Sequence, residues 1–108
     1  MTCVFRRESC DADTLVFVSG DIDLANAAQF HRELEEAARG GGTIVVDLSD
    51  CQYMDSTGLH VLAKMHGTAR NRMRLVVPED SSVRRILDIT GFGEIVHIAG
   101  TIEAARAS

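Results

Sequence analysis

The segment Asp55-Ser56-Thr57-Gly58-Leu59 sets two hydroxyls a short way behind an apolar run, Ile44-Val45-Val46-Asp47-Leu48. The run reads as an inner strand, a short loop (Ser49 to Met54) follows, and an amphipathic helix begins around Ser56. A hydroxyl in the first turn of a helix is exposed. The unpaired N–H groups and the positive end of the helix dipole there favour an added anion. The chemistry this suggests for Ser56 is acceptance of a phosphate, a change from a neutral to a dianionic side chain. Thr57 is the second candidate acceptor. The competing chemistry is nucleophilic catalysis by Ser56, which needs a general base and an oxyanion hole. The G-x-S-x-G elbow is absent, and the nearest histidine, His60, lies along the same helix. No enzymatic activity is expected.

Other chemistry-bearing residues are sparser. Asp21, Asp23, Asp50 and Asp55 fall in two loops, Gly20 to Ala25 and Ser49 to Ser56, each joining a strand to a helix. Aspartates there can serve simply as turn and cap residues, since their side chains pair with local N–H groups. Cys3, Cys10 and Cys51 include no C-x-x-C pair and are expected to be reduced thiols. His31, His60, His66 and His97 are scattered without an H-E-x-x-H pattern, so neither a metal site nor a cofactor is expected. Gly40-Gly41-Gly42 follows a helix instead of opening one and is a stop signal, not a phosphate-binding loop.

The elements that must position these residues follow from patterning. Cys3 to Arg7 and Leu15 to Ser19 read as an antiparallel hairpin turning through Asp11-Ala12-Asp13. Asn26 is a candidate N-cap, with Gln29 at capping-box spacing. Phe30, Leu34, Ala37 and Ala38 then mark one buried helical face. Thr43 to Leu48 lacks alternation, as a parallel strand covered on both faces would. The helix from Ser56 buries Leu59, Leu62, Met65 and Ala69. Met73 to Val77 is a strand. Ser81 or Ser82 caps a helix with inner face Val83, Ile86, Leu87 and Thr90, stopped by Gly91. Glu94 to Ile98 is the last strand and Thr101 to Arg106 a short final helix. Strands alternating with helices imply a largely parallel sheet with right-handed crossovers. Its functional loops belong at the carboxyl ends of strands. If the second and third strands are neighbours, the two acidic loops share one end of the domain.

The bulk numbers fit one α/β domain over 1–108. The chain is 45% apolar and 25% charged, with a net charge of −5. That charge argues against nonspecific binding to nucleic acid or to an anionic membrane and leaves room for a partner with a basic surface. No apolar stretch is long enough to span a bilayer, and the first residues lack a secretory pattern, so a cytoplasmic protein is expected.

Four motifs together resemble the STAS family: Val18-Ser19-Gly20-Asp21-Ile22-Asp23-Leu24, Ile44-Val45-Val46-Asp47-Leu48, Tyr53-Met54-Asp55-Ser56-Thr57-Gly58-Leu59 and Ile89-Thr90-Gly91-Phe92. Their order is the family's and they span essentially the whole chain. The resemblance is greatest to bacterial anti-sigma factor antagonists. It implies the STAS fold, a mostly parallel sheet of about five strands with an N-terminal antiparallel hairpin and about four helices. It implies an unmodified form that binds an anti-sigma factor serine kinase of the histidine-kinase-like ATPase fold and so frees a sigma factor. It implies phosphorylation of Ser56, release of the kinase, and restoration by a PP2C-type phosphatase. The partner surface implied is Asp21, Asp23, Asn26, Asp55, Ser56, Thr57, Gly58 and Leu59. The first motif departs from the family's common form, with aspartate where glutamate and isoleucine where leucine are usual, changes that keep charge and apolarity. Related STAS proteins also serve as stressosome components, ligand sensors and subunits of lipid-transport complexes, the alternative job for this chain.

Overall fold

Ile44, Val45, Val46 and Leu48 are all shut from solvent, so the missing alternation does report a strand covered on both faces. This strand, β3 (Ile44–Asp50), is central in a computed structural model that describes residues 3–107. Around it lie β1 (Val4–Cys10), β2 (Asp13–Ser19), α1 (Ala27–Ala38), α2 (Ser56–Ala69), β4 (Met73–Val76), α3 (Ser82–Thr90), β5 (His97–Ala99) and α4 (Ile102–Ala107). Short 3-10 turns occupy Arg70–Arg72 and Phe92–Glu94. The strands form one sheet in the order β1-β2-β3-β4-β5. β1 and β2 are antiparallel and each later pair is parallel, the expected α/β architecture.

The two sheet faces are unequally covered. Val16, Val18, Ile44, Val46, Leu48 and Leu75 meet Phe30 and Leu34 of α1, Leu62 and Met65 of α2, and Val83 and Leu87 of α3 in the main core. On the other face Leu15, Val45 and Val76 pack against Ala105 of α4 in a smaller cluster. Arg106 fastens that helix. Its Nε donates to Asp13 Oδ2 at 2.9 Å and its Nη2 to Asp11 Oδ2 at 3.1 Å, while Asp13 Oδ1 accepts from Thr43 N at 3.1 Å. The Arg106 hydrogen bond is the main reason the Asp13 carboxyl titrates below its ordinary range.

Several boundaries differ from expectation for identifiable reasons. β1 runs on to Cys10 because its ladder with β2 continues to the Cys10–Asp13 pair. The turn is therefore Asp11-Ala12, with Asp11 at φ 56°, a left-handed conformation that aspartate tolerates. The capping box at Asn26 does not form, since that side chain makes no cap hydrogen bond to α1. The α1 C-terminus is tied down by Arg72, which donates to the carbonyls of Ala38 and Gly42 at 3.0 Å each. On α2 the buried face is Gly58, Val61, Leu62, Met65 and Ala69, while Leu59 is only half-buried. Ser81, not Ser82, caps α3, its Oγ accepting from Arg84 N at 3.1 Å; Ile86 is half-buried and Thr90 exposed. The last strand starts at His97 because Phe92–Glu94 closes into a 3-10 turn that buries Phe92, with Val96 buried behind it.

Candidate functional site

β2 and β3 are parallel neighbours, so the loops that leave their carboxyl ends run side by side. They are also hydrogen-bonded to each other. Gly20 N donates to Asp50 O at 3.1 Å, Ile22 N to Tyr53 O at 2.9 Å, and Asp55 N to Ile22 O at 3.1 Å. Ile22 and Met54 thereby form an isolated parallel bridge beyond the strands. Both side chains are fully buried. Tyr53, whose carbonyl accepts from Ile22 N, is half exposed.

Gly58 makes this crossing possible. A Cβ there would lie 2.4 Å from Met54 Cγ and 2.9 Å from Ile22 Cγ2. The glycine is buried, so its place is beneath the site and not on the exposed rim. Asn26, in place of capping α1, braces the first loop from within: its Oδ1 accepts from Asp23 N at 3.1 Å and its Nδ2 donates to Asp21 O at 2.9 Å. Asp23 Oδ1 accepts from Ala25 N at 3.0 Å, and the Asp23 carbonyl accepts from Asn26 N and Ala27 N. This local pairing turns the chain into α1.

Asp55 is the N-cap of α2. Its Oδ1 accepts from Thr57 N at 2.9 Å, from Gly58 N at 3.4 Å, and from the Thr57 hydroxyl. The Thr57 hydroxyl is the chief cause of a lowered carboxyl pKa, with the N–H groups of Thr57, Gly58 and Leu24 adding to it against partial desolvation. Two consequences follow for the hydroxyls. Thr57 is half-buried and already donates to Asp55. Ser56 is exposed, and its hydroxyl has no hydrogen-bond partner among the described residues. The helix end is also less open to an anion than dipole reasoning alone suggests. Thr57 N and Gly58 N turn to the Asp55 carboxylate, and Leu59 N to the Asp55 carbonyl at 3.2 Å. An anion on Ser56 would meet the Asp55 charge with only its own N–H left among these first four.

Asp21 lies apart from this rim. Its Oδ1 is shut from solvent with no hydrogen-bond partner among the described residues. Its charge adds to the burial that raises the thiols of Cys3 and Cys51, the latter to about 11. Such thiols are protonated and unreactive at neutral pH. All three cysteines are free. Among the described residues no group of three or more His, Cys, Asp or Glu side chains could hold a metal.

Sequence reasoning missed a groove of about 530 Å³ between α1 and α2 that opens at Ser56. Leu24, Ala28 and Val61 line its apolar part, and His31, His60 and Lys64 are its basic members. Leu24 is 78% exposed. An apolar side chain set between Asp23 and an alanine-rich helix start was the available signal, since nothing in the core pattern calls for it.

Comparison with known proteins fits this geometry. The chain is 32% identical over 93 residues to the anti-sigma-B factor antagonist of Bacillus subtilis, covering 84% of this chain and 85% of that one. It is 35% identical over 86 residues to the anti-sigma-B factor antagonist of Listeria monocytogenes, covering 77% and 75%. The crystal structure of an anti-sigma factor antagonist from Mycobacterium paratuberculosis superposes with a TM-score of 0.87 at 23% identity, over 96% of this chain and 91% of that one, a likeness of fold. No helix among the described residues is long and apolar enough to cross a membrane. With the STAS domain model matching residues 6–105, nearly the full length of the sheet and its helices, the chain belongs to the STAS domain family.

Proposed function

We propose that this chain, as one STAS domain over 1–108, is a cytoplasmic anti-sigma factor antagonist switched by phosphorylation at Ser56. In its unmodified form it binds an anti-sigma factor serine kinase of the histidine-kinase-like ATPase fold and frees the sigma factor. The observation that carries this reading is the contrast between two adjacent hydroxyls: that of Ser56 is exposed and uncommitted, that of Thr57 is bonded to Asp55. The two curated relatives, named as anti-sigma-B factor antagonists, support the regulatory role.

The switch follows from charge. A phosphate adds about −1.5 to −2 charges. On Ser56 it would stand beside Asp55, whose cap bonds already use the neighbouring N–H groups. The fold would keep its cap, because none of those bonds involves the Ser56 side chain. A kinase surface packed over the site would have to desolvate the dianion, so docking is lost without unfolding. Asp23, Leu24, Asp55, Thr57 and the exposed part of Leu59 complete the docking rim. Asn26 and Gly58 hold it from below, and Asp21 stays at its inner margin. A PP2C-type phosphatase reverses the modification. Nucleic acid and membrane are not partners in this scheme.

The test is a pull-down with unmodified protein from extract of the encoding organism, then incubation of the recovered kinase with ATP and mass spectrometry of the bait. Phosphate on Ser56, retained in Thr57→Ala and absent in Ser56→Ala, is expected, with release of the kinase on modification. Partner exchange that still responds to ATP in Ser56→Ala overturns the proposal.

A further inference from the structure

At the amino ends of β4 and β5 a cavity of about 380 Å³ is lined by His66 of α2, Arg70 and Asn71 of the 3-10 turn, Arg74 of β4, and Ile95 and His97. Arg74 and His97 are register partners in the parallel ladder, so both side chains stand on one face of the sheet. Two arginines and two histidines thus converge, no carboxylate among the described residues lines the cavity, and the chain as a whole carries a net charge of −5. Glu94, though next to Ile95 in sequence, lines a separate cleft with Asp88.

The two arginines differ from most others in the chain. Arg6, Arg7, Arg39, Arg84 and Arg106 are ion-paired; Arg70 and Arg74 have no such partner among the described residues. Arg74 donates through Nη1 to the carbonyls of Asn71 and Met73. Its Nε is shut from solvent without a hydrogen-bond partner among the described residues, and so is Nδ1 of His66. Folded proteins seldom leave buried polar atoms unsatisfied, and both of these belong to residues that line the cavity. Arg70 adds a third oddity. It sits at φ 55°, ψ −125°, in the left-handed half of backbone space where non-glycine residues are uncommon and strained. The turn accepts that strain while displaying the guanidinium at the cavity.

We propose that this cavity binds a small phosphate-bearing molecule, at the end of the sheet opposite Ser56. The Arg70 guanidinium is the fork that matches phosphate oxygens, the remaining charge of Arg74 adds to it, and a concave basic site on an acidic protein concentrates anions. The volume suits one small phosphorylated compound. The site stands independently of the Ser56 reading, because none of its residues touches that region.

The experiment is an amide NMR titration of the full chain with inorganic phosphate, then pyrophosphate, at ionic strength held constant with chloride. Saturable shifts centred on Arg70, Asn71, Arg74 and His97 are expected, tighter for pyrophosphate. Arg70→Gln, a residue whose side chain makes no hydrogen bond here, should weaken binding about tenfold with an unchanged urea midpoint. Arg74→Gln should weaken it as well. Linear shifts without saturation, saturation elsewhere, or equal affinity in Arg70→Gln overturn the proposal. So does sedimentation with phosphatidylcholine vesicles containing phosphatidic acid when free phosphate gives no response, since the ligand would then be a lipid surface.

Discussion

Two glycines on α2 offer a controlled measurement of how tightly the Ser56 loop is packed. A Cβ added at Gly67 meets nothing within 4 Å. Glycine inside a helix costs about 0.5–1 kcal/mol relative to alanine, so Gly67→Ala should stabilise by about that amount. Gly58→Ala has the same propensity gain available but must place its methyl 2.4 Å from Met54 Cγ and 2.9 Å from Ile22 Cγ2. Ordinary carbon contacts sit at about 3.5–4 Å, so the neighbours must retreat by about 1 Å. They have little room, at 1% and 0% exposure. Forcing an extra methyl into a filled core costs about 1–3 kcal/mol. The two variants should therefore differ by about 1–3 kcal/mol, which for a chain of this size is about 4 °C or more in Tm. Urea denaturation followed by circular dichroism reads the difference. Amide exchange at Ile22 and Asp55, whose N–H groups bridge the loops, should quicken in Gly58→Ala alone. Equal midpoints for the two variants would refute the claim that Gly58 is required by the close approach of the loops.

Other outcomes follow from the hydrogen bonds. Asn26→Ala removes both braces of the first loop and should destabilise by about 1–2 kcal/mol in the same urea assay; a neutral result would mean the loop holds its shape without them. Asp13 and Asp55 both titrate below their ordinary values in the folded chain. Groups of this kind add stability above their unfolded pKa, near 4, and lose it as pH falls through the lower folded value. The urea midpoint should accordingly drop on acidification below about pH 4, and Asp13→Asn should flatten that drop. An unchanged slope in Asp13→Asn would remove Arg106 and Thr43 as its cause.

Much of this was legible in the sequence because it depends on neighbours along the chain. Element types and order follow from local period, and Asp55-Ser56 announces a helix start through the chemistry of its own turn. The misplaced features depend on residues far away in sequence. β1 extends because its partner β2 does, and β5 shifts because Phe92 finds the core. Asn26 looks like a cap by spacing, yet its two hydrogen bonds go back to Asp21 and Asp23. Leu59 fits a helical stripe, but Gly58 and Val61 face inward, since it is the Ile22–Met54 bridge that sets how α2 sits on the sheet. The groove beside Ser56 needs α1 and α2 to be adjacent, which no local pattern states.

The rungs between Ile22 and Met54 carry a wider consequence. They weld two stretches of backbone, thirty-two positions apart, into a single plate, so the Ser56 hydroxyl and the acidic turn beside it travel together. Under the proposed switch, a docking protein that reads the Leu24 side of the plate gains information about the state of the other side without needing to contact both. Selectivity among related partners could then be retuned by residues at the start of α1, leaving Ser56 untouched.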